Sequence, residues 1–390
     1  MLQVLPPQIP AQIPARRPLA QPLYSALPTV PVPSIPPSAP LPMRADHDIL
    51  LRCARGEKTE RTPVWLMRQA GRYMAAFREY SEKIPFRQRS ETPAIATELS
   101  LQCAREYGMD GVVFFSDILT PLTAVGIDWD VVKGKGPVVT TELRCMADVD
   151  RLTELGDVDE KLPFIRETLE ALRRETEGSC TLVGFVGAPW TLAAYAVEAG
   201  GTKDARNVKK MMYQTPEVVH KLVDKLAVMA GEYAAHQVEC GAQVVQVFES
   251  WAHHLSPADF EAFAKPAAQR TIAAIKARCP GTPVVYYANG GGAYLENQRD
   301  MGADMICVDW SVDMKVARER LGSGVLVSGN VDPGILLGGT EEQIRAAARA
   351  TIDAAGGPGC HLMNVGHGVM QGTPEESVGY FVDECKAYRR

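Results

Sequence analysis

Two arginines four residues apart, Arg68 and Arg72, directly follow the apolar run PVWLM, which includes Trp65. The whole chain is acidic, with a formal net charge of −6, so paired guanidinium groups at this point need an explanation. Guanidinium groups bind carboxylates through two parallel hydrogen bonds. The pair therefore indicates an anionic ligand. The alternative is that the two arginines form ion pairs with Glu79 or Glu82 of the chain itself.

Polar side chains also end seven further apolar runs, or follow them closely. They carry hydroxyl, amide, carboxylate and imidazole groups: Ser116, Asp117, Tyr195, Glu249, Ser250, Asn289, Asp309, Asn330, Asp332, Asn364 and His367. Any one of them could be an ordinary cap or turn residue, because chains leave the core at such points. Taken with the two arginines, the set indicates a ligand that carries several acidic groups.

The apolar runs predict the elements that hold these side chains. Eight runs are short, rich in β-branched residues and show little alternation, which is typical of strands buried on both faces of a parallel sheet. They span residues 62–69, 111–117, 181–187, 243–250, 282–289, 304–310, 324–331 and 361–367. Segments of helical period separate them. One of these segments has Thr92 and Pro93 at its start and Gly108 at its end, and residues 215–241 repeat the scheme.

This alternation predicts an α/β fold, a single-domain (β/α)8 TIM barrel over residues 44–390, with extra helices near 80–90 and 140–180. A doubly wound open sheet is the alternative, but it would show fewer strands and a glycine-rich phosphate loop. No G-x-G-x-x-G follows any of the runs. In a barrel the carboxyl ends of the strands meet at one end, so the polar side chains are expected to lie close together there.

Residues 1–43 differ from the rest of the chain. They hold 13 of the 28 prolines, and arginine is their only charged residue type. Proline removes backbone donors, so we interpret this stretch as a disordered leader. A plastid or mitochondrial transit peptide is the first interpretation, and a plain disordered tail or a polyproline ligand are the alternatives. Without the first 45 residues the formal charge is −9, which does not favour nucleic acid as a partner.

Several chemistries find no support in the sequence. The nine cysteines are scattered singly, which indicates reduced thiols and no zinc framework. No apolar run approaches the roughly 18 residues of a membrane span. P-loop, G-x-S-x-G and H-E-x-x-H motifs are absent, and the adjacent His253 and His254 lack further ligands at metal-site spacing. We therefore expect a reaction that uses no metal and no cofactor.

The predicted strands and the loops after them carry a series of motifs in a fixed order. These are PVWLMRQAGRYM, FFSDIL, GFVGAPWTLAAYAVEAGG, VFESWA, YYANGGG, VDWSVD, SGNVDP and NVGHGV. In sequence and in order they resemble the uroporphyrinogen decarboxylase family, from about Ala45 to the C-terminus. The resemblance implies a homodimeric barrel that converts the four acetate side chains of uroporphyrinogen III to methyl groups. The product would be coproporphyrinogen III, a precursor of haem and chlorophyll, made without metal or prosthetic group.

The resemblance also implies roles for residues at matching positions. Asp117 would receive the pyrrole N–H groups at the centre of the macrocycle. Arg68 and Arg72 would bind substrate carboxylates, and one of them would take part in proton delivery. Tyr195 would contact an acetate or a propionate through its hydroxyl. These four form the predicted catalytic set.

Four further residues are predicted to bind substrate. By the same resemblance, Ser250 would contact an acetate or propionate through its hydroxyl, and His367 would bind a propionate. Phe77 and Phe248 would form apolar walls against the pyrroles. In a plant or alga the leader would direct the enzyme to the plastid stroma, with the mitochondrion or the cytosol as alternatives.

Some positions depart from the family pattern, and two other functions stay open. Met74–Ala76 replaces the common Leu-Pro-acid, Ala252–His254 lacks a usual glycine, and Val308 and Ser328 replace Leu and Gln. These changes concern loop shape rather than reaction type. One rival function is a zinc-dependent methyltransferase of the same barrel superfamily, acting on corrinoid or thiol substrates. The other is a catalytically inactive carrier of tetrapyrroles.

Overall fold

The structure, a computed structural model, describes residues 39–132 and 134–389. Most of the predicted leader, residues 1–43, therefore lies outside the described residues. Of its last residues, Ala39 accepts a hydrogen bond at its carbonyl from Nε of Arg105, and Leu41 is buried in the main apolar core. The disorder of the leader and the division of the chain at Arg44 stay predictions.

Seven parallel strands form one sheet and follow one another across it in chain order. Their bounds are Gly111–Val113, Thr181–Gly187, Val244–Glu249, Val284–Ala288, Met305–Cys307, Leu326–Ser328 and His361–Leu362. Each strand lies inside one of the predicted runs, and most of their residues are buried. The β-branched composition therefore predicted these strands correctly, because both faces of the sheet are covered by protein.

The first predicted run, residues 62–69, joins the two edges of this sheet. Val64 forms a parallel bridge with Met363, whose N–H donates to the carbonyl of Pro63 at 2.8 Å. On its other side, the carbonyl of Val64 accepts the N–H of Asp110 at 2.9 Å. The segment thus occupies the eighth position, between the last strand and the first, and the predicted (β/α)8 barrel is confirmed.

This closing segment, residues 62–69, pairs over a shorter length than the sequence predicted. The N–H of Met67 donates to the side-chain Oδ1 of Asn364 at 2.9 Å rather than to a main-chain carbonyl. Arg68 then takes the left-handed conformation, with φ of 59°, which turns the chain out of the sheet. The prediction of a regular strand over residues 62–69 was therefore wrong in its length, although it placed the segment correctly in the barrel.

Helices surround the sheet. The α-helices of the described residues are Ile49–Ala54, Ala75–Ser81, Phe86–Glu91, Pro93–Tyr107, Met146–Asp150, Val158–Lys161, Pro163–Thr176, Pro189–Glu198, Arg206–Gln214, Pro216–Glu239, Pro257–Asp259, Lys265–Arg278, Met314–Leu321, Pro333–Gly338, Glu341–Ala355 and Glu375–Ala387. Short 3₁₀ segments lie at Thr120–Val125, Ala252–His254, Gly291–Tyr294 and Glu296–Gln298, and a π turn at Phe260–Ala264. The extra helices expected near 80–90 and 140–180 are present. No helix in the described part of the chain has the length and apolar character to cross a membrane.

The ends of the predicted helices are partly as expected. Gly108 ends the helix Pro93–Tyr107 with φ of 64°, a conformation that favours glycine. Thr92 and Thr215 stand at N-cap positions, but neither side chain makes a capping hydrogen bond. The sequence did not predict an antiparallel hairpin, Trp129–Val132 with Gly136–Val139, which bridges to Gly200 through Val138.

The helix Ile49–Ala54 covers the amino end of the barrel. Leu50 and Cys53 belong to one buried cluster with residues near the starts of the strands, such as Val244 and Met305. Cys53 donates its S–H to the carbonyl of His361 at 3.3 Å. Because this end is filled, a ligand site has to lie at the carboxyl end.

A buried ion pair fixes the closure of the barrel at the same end. The guanidinium of Arg61, 4% exposed, donates to both carboxylate oxygens of the fully buried Asp110 at 2.6 and 2.7 Å. Asp110 also accepts the N–H of Val64 at 2.9 Å and a bond from Arg44 at 2.6 Å. One carboxylate therefore holds both the closing segment and the first strand.

We expect Arg61→Met to destabilise the protein by about 3 kcal/mol or more, because it leaves a buried carboxylate short of a partner. Urea unfolding of the full chain measures this change. Lys276→Met is the control, because it breaks the exposed pair of Lys276 with Asp304, 2.8 Å apart. That change is expected to cost less than about 1 kcal/mol. Equal losses in the two variants would show that Arg61 does not hold the closure.

Candidate active site

Polar side chains from several strand–helix units meet at the carboxyl end of the barrel. The guanidinium of Arg68 lies within electrostatic range of Asp117, Tyr195 and His367. These residues follow the strands Gly111–Val113, Thr181–Gly187 and His361–Leu362. The structure therefore brings Arg68, Asp117, Tyr195 and His367 together at this end of the barrel.

Arg68 is exposed at this mouth and is placed by local geometry. A Cβ atom at Gly368 would lie 2.2 Å from Cδ of Arg68, so only glycine leaves room for the arginine stem. The side chain makes no ion pair and no hydrogen bond with any residue that the structure describes. The alternative of a pair with Glu79 or Glu82 is not observed for it. Its charge is thus left available to a ligand.

Arg72 is exposed as well and lies four residues after Arg68, before the helix Ala75–Ser81 begins. Its main-chain carbonyl accepts a hydrogen bond from Arg78 at 3.0 Å. Its guanidinium has no carboxylate partner within residues 39–132 and 134–389. An ion pair of Arg72 with Glu79 or Glu82 is therefore not observed either. Two cations stand at the mouth without a counter-ion from the described protein.

Asp117 faces the same space and is half-buried. Its Oδ1 accepts the N–H of Leu119 at 2.9 Å, which starts the 3₁₀ segment Thr120–Val125. Burial raises the pKa of the Asp117 carboxyl, while the bond from Leu119 and the charges of Arg68 and Arg87 oppose the rise. One carboxylate oxygen thus fixes the turn. The other makes no hydrogen bond with the described residues.

Tyr195 and Ser250 bring hydroxyl groups to the mouth, and both are half-buried. Tyr195 lies on the helix Pro189–Glu198, with its ring centroid 4.5 Å from that of Trp251. Burial raises the pKa of its hydroxyl, so the group stays a neutral donor. Ser250 directly follows the strand Val244–Glu249, and its carbonyl accepts a bond from Asn289 at 3.0 Å.

His367 lies in the loop after the last strand. Its Nδ1 accepts the N–H of Gly368 at 2.7 Å, so the ring proton of the neutral form is on Nε2. Burial and the charge of Arg68 lower the pKa of His367, Asp309 opposes the change, and the result is about 4. At neutral pH the residue therefore offers an uncharged N–H donor.

The two phenylalanines differ in their surroundings. Phe248 is half-buried, with ring centroids 5.9 Å from Phe185 and 5.8 Å from Tyr287. Phe77 is only 4% exposed and packs edge-on against Phe115 at 5.6 Å. Phe248 has open surface for a ligand, while Phe77 lies mostly within the core. Their predicted role as walls stays a prediction.

Sequence reasoning gave no role to Asp309, although it placed this residue at a strand end. The carboxylate is buried, and its Oδ1 accepts bonds from the N–H and hydroxyl of Ser311 at 2.7 and 2.5 Å. Its Oδ2 has no partner in the described residues and lies within electrostatic range of His367 and His253. The acid in the run DMICVDW was the signal that could have identified it.

Glu249 was likewise placed at a strand end without a role. Its Oε1 accepts the N–H of Thr191 at 2.9 Å and also bonds the Thr191 hydroxyl. That hydroxyl in turn accepts the N–H of Trp251 at 3.2 Å. Burial raises the pKa of Glu249 to about 8. Because Thr191 and Tyr195 share one helix, this carboxyl anchors the helix that carries Tyr195.

No three His, Cys, Asp or Glu side chains in the described part of the chain are grouped so that they could hold a metal ion. The rings of His253 and His254 are tilted by 43° to each other, with centroids 4.1 Å apart. The expectation of a reaction without metal or cofactor stays a prediction.

As a whole, the mouth separates two kinds of charge. Unpaired guanidinium groups and neutral N–H and O–H donors suit the carboxylates of a ligand, while Asp117 suits a cationic or N–H-bearing centre. This arrangement fits a ligand with acidic groups at its edge and N–H groups at its centre.

Comparisons with known proteins show the family of this chain. Residues 45–388 match the family model "Uroporphyrinogen decarboxylase (URO-D)". A uroporphyrinogen decarboxylase of Trichodesmium erythraeum is 49% identical over 338 residues, 86% of this chain and 95% of the relative. One from Picosynechococcus is 48% identical over 339 residues, 87% of this chain and 96% of the relative.

A solved structure supports the fold alone. A methyltransferase from Methanosarcina mazei superposes with a TM-score of 0.73 at 20% identity and covers 86% of this chain and 97% of its own. At that identity the likeness says nothing about the activity.

The buried carboxyl of Glu249 predicts a pH dependence of stability. Its pKa is about 8 in the folded protein against an ordinary 4.5. The stability that the protonated Glu249 carboxyl contributes is therefore complete below pH 4.5 and is lost as the pH rises through 8. Between these values each unit rise in pH should lower the free energy of unfolding by about 1.4 kcal/mol.

Urea unfolding of wild type and Glu249→Gln at several pH values between 6.5 and 8 measures this slope. The histidines whose pKa burial lowers in the folded protein take up protons on unfolding near pH 6.5, but they do so equally in wild type and variant, so the difference between the two proteins isolates Glu249. We expect the glutamine variant to lack the decline. Parallel curves for the two proteins would show that Glu249 is ionised throughout.

Proposed function

The chain belongs to the uroporphyrinogen decarboxylase family, and from this membership we propose that it decarboxylates uroporphyrinogen in tetrapyrrole biosynthesis. In full, the enzyme is a lyase that converts the four acetates of uroporphyrinogen III to methyl groups and yields coproporphyrinogen III. The observation that carries the proposal is the pair of unpaired arginines, Arg68 and Arg72, at the same mouth as the half-buried carboxylate of Asp117. An octacarboxylate with a ring of pyrrole N–H groups is complementary to this arrangement.

The chemistry has to avoid a free carbanion. Protonation of a pyrrole carbon first makes the ring a cation that can accept electrons. The C–C bond to the acetate carboxylate then breaks, carbon dioxide leaves, and the electron pair neutralises the ring. A second proton then adds to the exocyclic methylene carbon to complete the methyl group, and the proton on the ring carbon leaves, which restores the pyrrole; each acetate thus takes up one net proton. No electrons are gained or lost overall, so the sequence requires only proton transfer and electrostatic stabilisation.

Asp117 would stabilise the cationic ring. Its free carboxylate oxygen accepts pyrrole N–H groups, and a fixed negative charge favours the protonated pyrrole over the neutral one. The surroundings are partly dry, which strengthens this interaction. The turn bond from Leu119 holds the other oxygen, so the carboxylate needs little reorganisation.

The other residues would hold the carboxylates. Arg68 and Arg72 pair with acetates or propionates, and one of them takes part in proton delivery. The hydroxyls of Tyr195 and Ser250 and the Nε2–H of His367 donate to the remaining carboxylates. Phe248, with Phe77 behind the rim, packs against the pyrroles.

The proposal extends to assembly and location. We propose a homodimer in the plastid stroma, with residues 1–43 as the transit peptide. The proline-rich, acid-free composition of that segment supports import, and both relatives named above come from cyanobacteria. The mitochondrion and the cytosol are the other locations to test.

We expect Asp117→Asn to lose on the order of a hundredfold or more in turnover, because the amide cannot stabilise the ring cation. The assay is anaerobic, with chemically reduced uroporphyrinogen III and excess chelator. Products are oxidised and separated by their number of carboxyl groups. Wild type should give products with seven, six, five and four carboxyl groups.

Asp224→Asn is the control, since it makes the same change on the outer helix Pro216–Glu239, and it should match wild type. Wild-type activity in Asp117→Asn would contradict the role of Asp117. Substrate binding without release of carbon dioxide by wild type would favour the carrier. Loss of turnover with chelator alone would favour the zinc-dependent alternative.

A further inference from the structure

A third arginine near the mouth is buried without a counter-ion. Arg89, on the helix Phe86–Glu91, is 7% exposed. Its Nε donates to the carbonyl of Ile84 at 3.0 Å, and its Nη1 has no partner within the described residues. No carboxylate of the described chain pairs with it. Buried charges in proteins are normally paired, so this one calls for an anion from outside the chain.

Aromatic rings surround the guanidinium. Its central carbon lies 5.4 Å from the ring centroid of Phe77, 5.5 Å from that of Phe86 and 5.6 Å from that of Phe115. Such cation–π contacts offset part of the loss of hydration. They also hold the group in place, but a neutral ring does not cancel the charge.

The charge of Arg89 acts on Arg72. Burial and the charge of Arg72 together lower the pKa of Arg89 to about 10, so the two cations lie within electrostatic range of each other. Arg89 remains protonated at neutral pH. Two like charges, one buried and one exposed, repel each other, and a bound anion would relieve that repulsion.

Arg61 provides the contrast within the same protein. It is buried to a similar degree, 4% against 7% exposed, but it binds Asp110 through two hydrogen bonds. The chain therefore supplies a carboxylate for a buried arginine at the amino end of the barrel. For Arg89, beside the ligand site, the described chain supplies none.

We propose that Arg89 is a positioning residue for substrate, and that its buried charge and the exposed Arg72 together form one cationic subsite for a side-chain carboxylate. Arg72 contacts the carboxylate, and the buried charge of Arg89 attracts the carboxylate without touching it. This inference rests on the proposed function, because the tetrapyrrole supplies the anion. A substrate side chain that has already become a methyl group gains nothing at this subsite.

Arg89→Met tests the role of the charge at nearly constant side-chain length. Steady-state kinetics of the full chain with uroporphyrinogen III should show a KM about tenfold higher than wild type, with kcat within about twofold. Removal of an unpaired buried charge should leave stability unchanged or higher in urea unfolding. Arg89→Lys keeps the charge and should hold KM within about threefold of wild type.

Arg270→Met is the matched control, since it removes one positive charge from the exposed outer surface, where Arg270 pairs with Asp224. Its KM should equal that of wild type. The inference is overturned if Arg89→Met keeps the wild-type KM, or if Arg270→Met raises KM as much. A tenfold rise in KM for folded Arg89→Lys would also overturn it, because the charge is retained. If wild type itself releases no carbon dioxide, the proposed function has failed instead.

Discussion

Closure of the barrel at Val64 determines where the cationic side chains lie. One short segment bonds to the last strand through Met363 and to the first through Asp110, and Arg61 holds the carboxylate of Asp110 in that position. Because this segment is fixed at the amino end, Arg68 leaves the sheet four residues later at the carboxyl end. Its left-handed turn then directs the chain to Arg72. The geometry of the mouth therefore depends on a few buried polar contacts at the opposite end of the barrel.

The two ends of the barrel differ in whether the protein itself compensates the charge of its arginines. At the amino end, Arg44 and Arg61 share the carboxylate of Asp110, so charge is compensated within the protein. At the carboxyl end, the described chain provides no carboxylate partner for Arg68, Arg72 or Arg89. Positive charge that is held in place but not compensated favours binding of a polyanion. Asp117 supplies negative charge where the centre of the macrocycle would lie.

Much of this could be predicted from the sequence. The β-branched runs predicted the seven strands, because strands buried on both faces need such residues, and the order of the motifs indicated the family. Arg68, Asp117, Tyr195 and His367 could be grouped because parallel strands share one carboxyl end. The burial of Arg89 could not, since the segment FRQRSE looks polar and is covered only by tertiary contacts from Phe77 and Phe115. The hairpin at Trp129–Val132 was missed as well, because its strands are only four residues long.

The account depends on uncompensated positive charge at the barrel mouth, and the salt dependence of substrate binding tests this most directly. KM for uroporphyrinogen III would be measured in wild type and in the double variant Arg68→Met/Arg72→Met, from about 0.05 to about 0.5 M salt. We predict that wild-type KM rises at least about fivefold with salt, while the variant has a high KM that changes less than about twofold. A wild-type KM that does not respond to salt, or a variant that responds as strongly as wild type, would contradict the account.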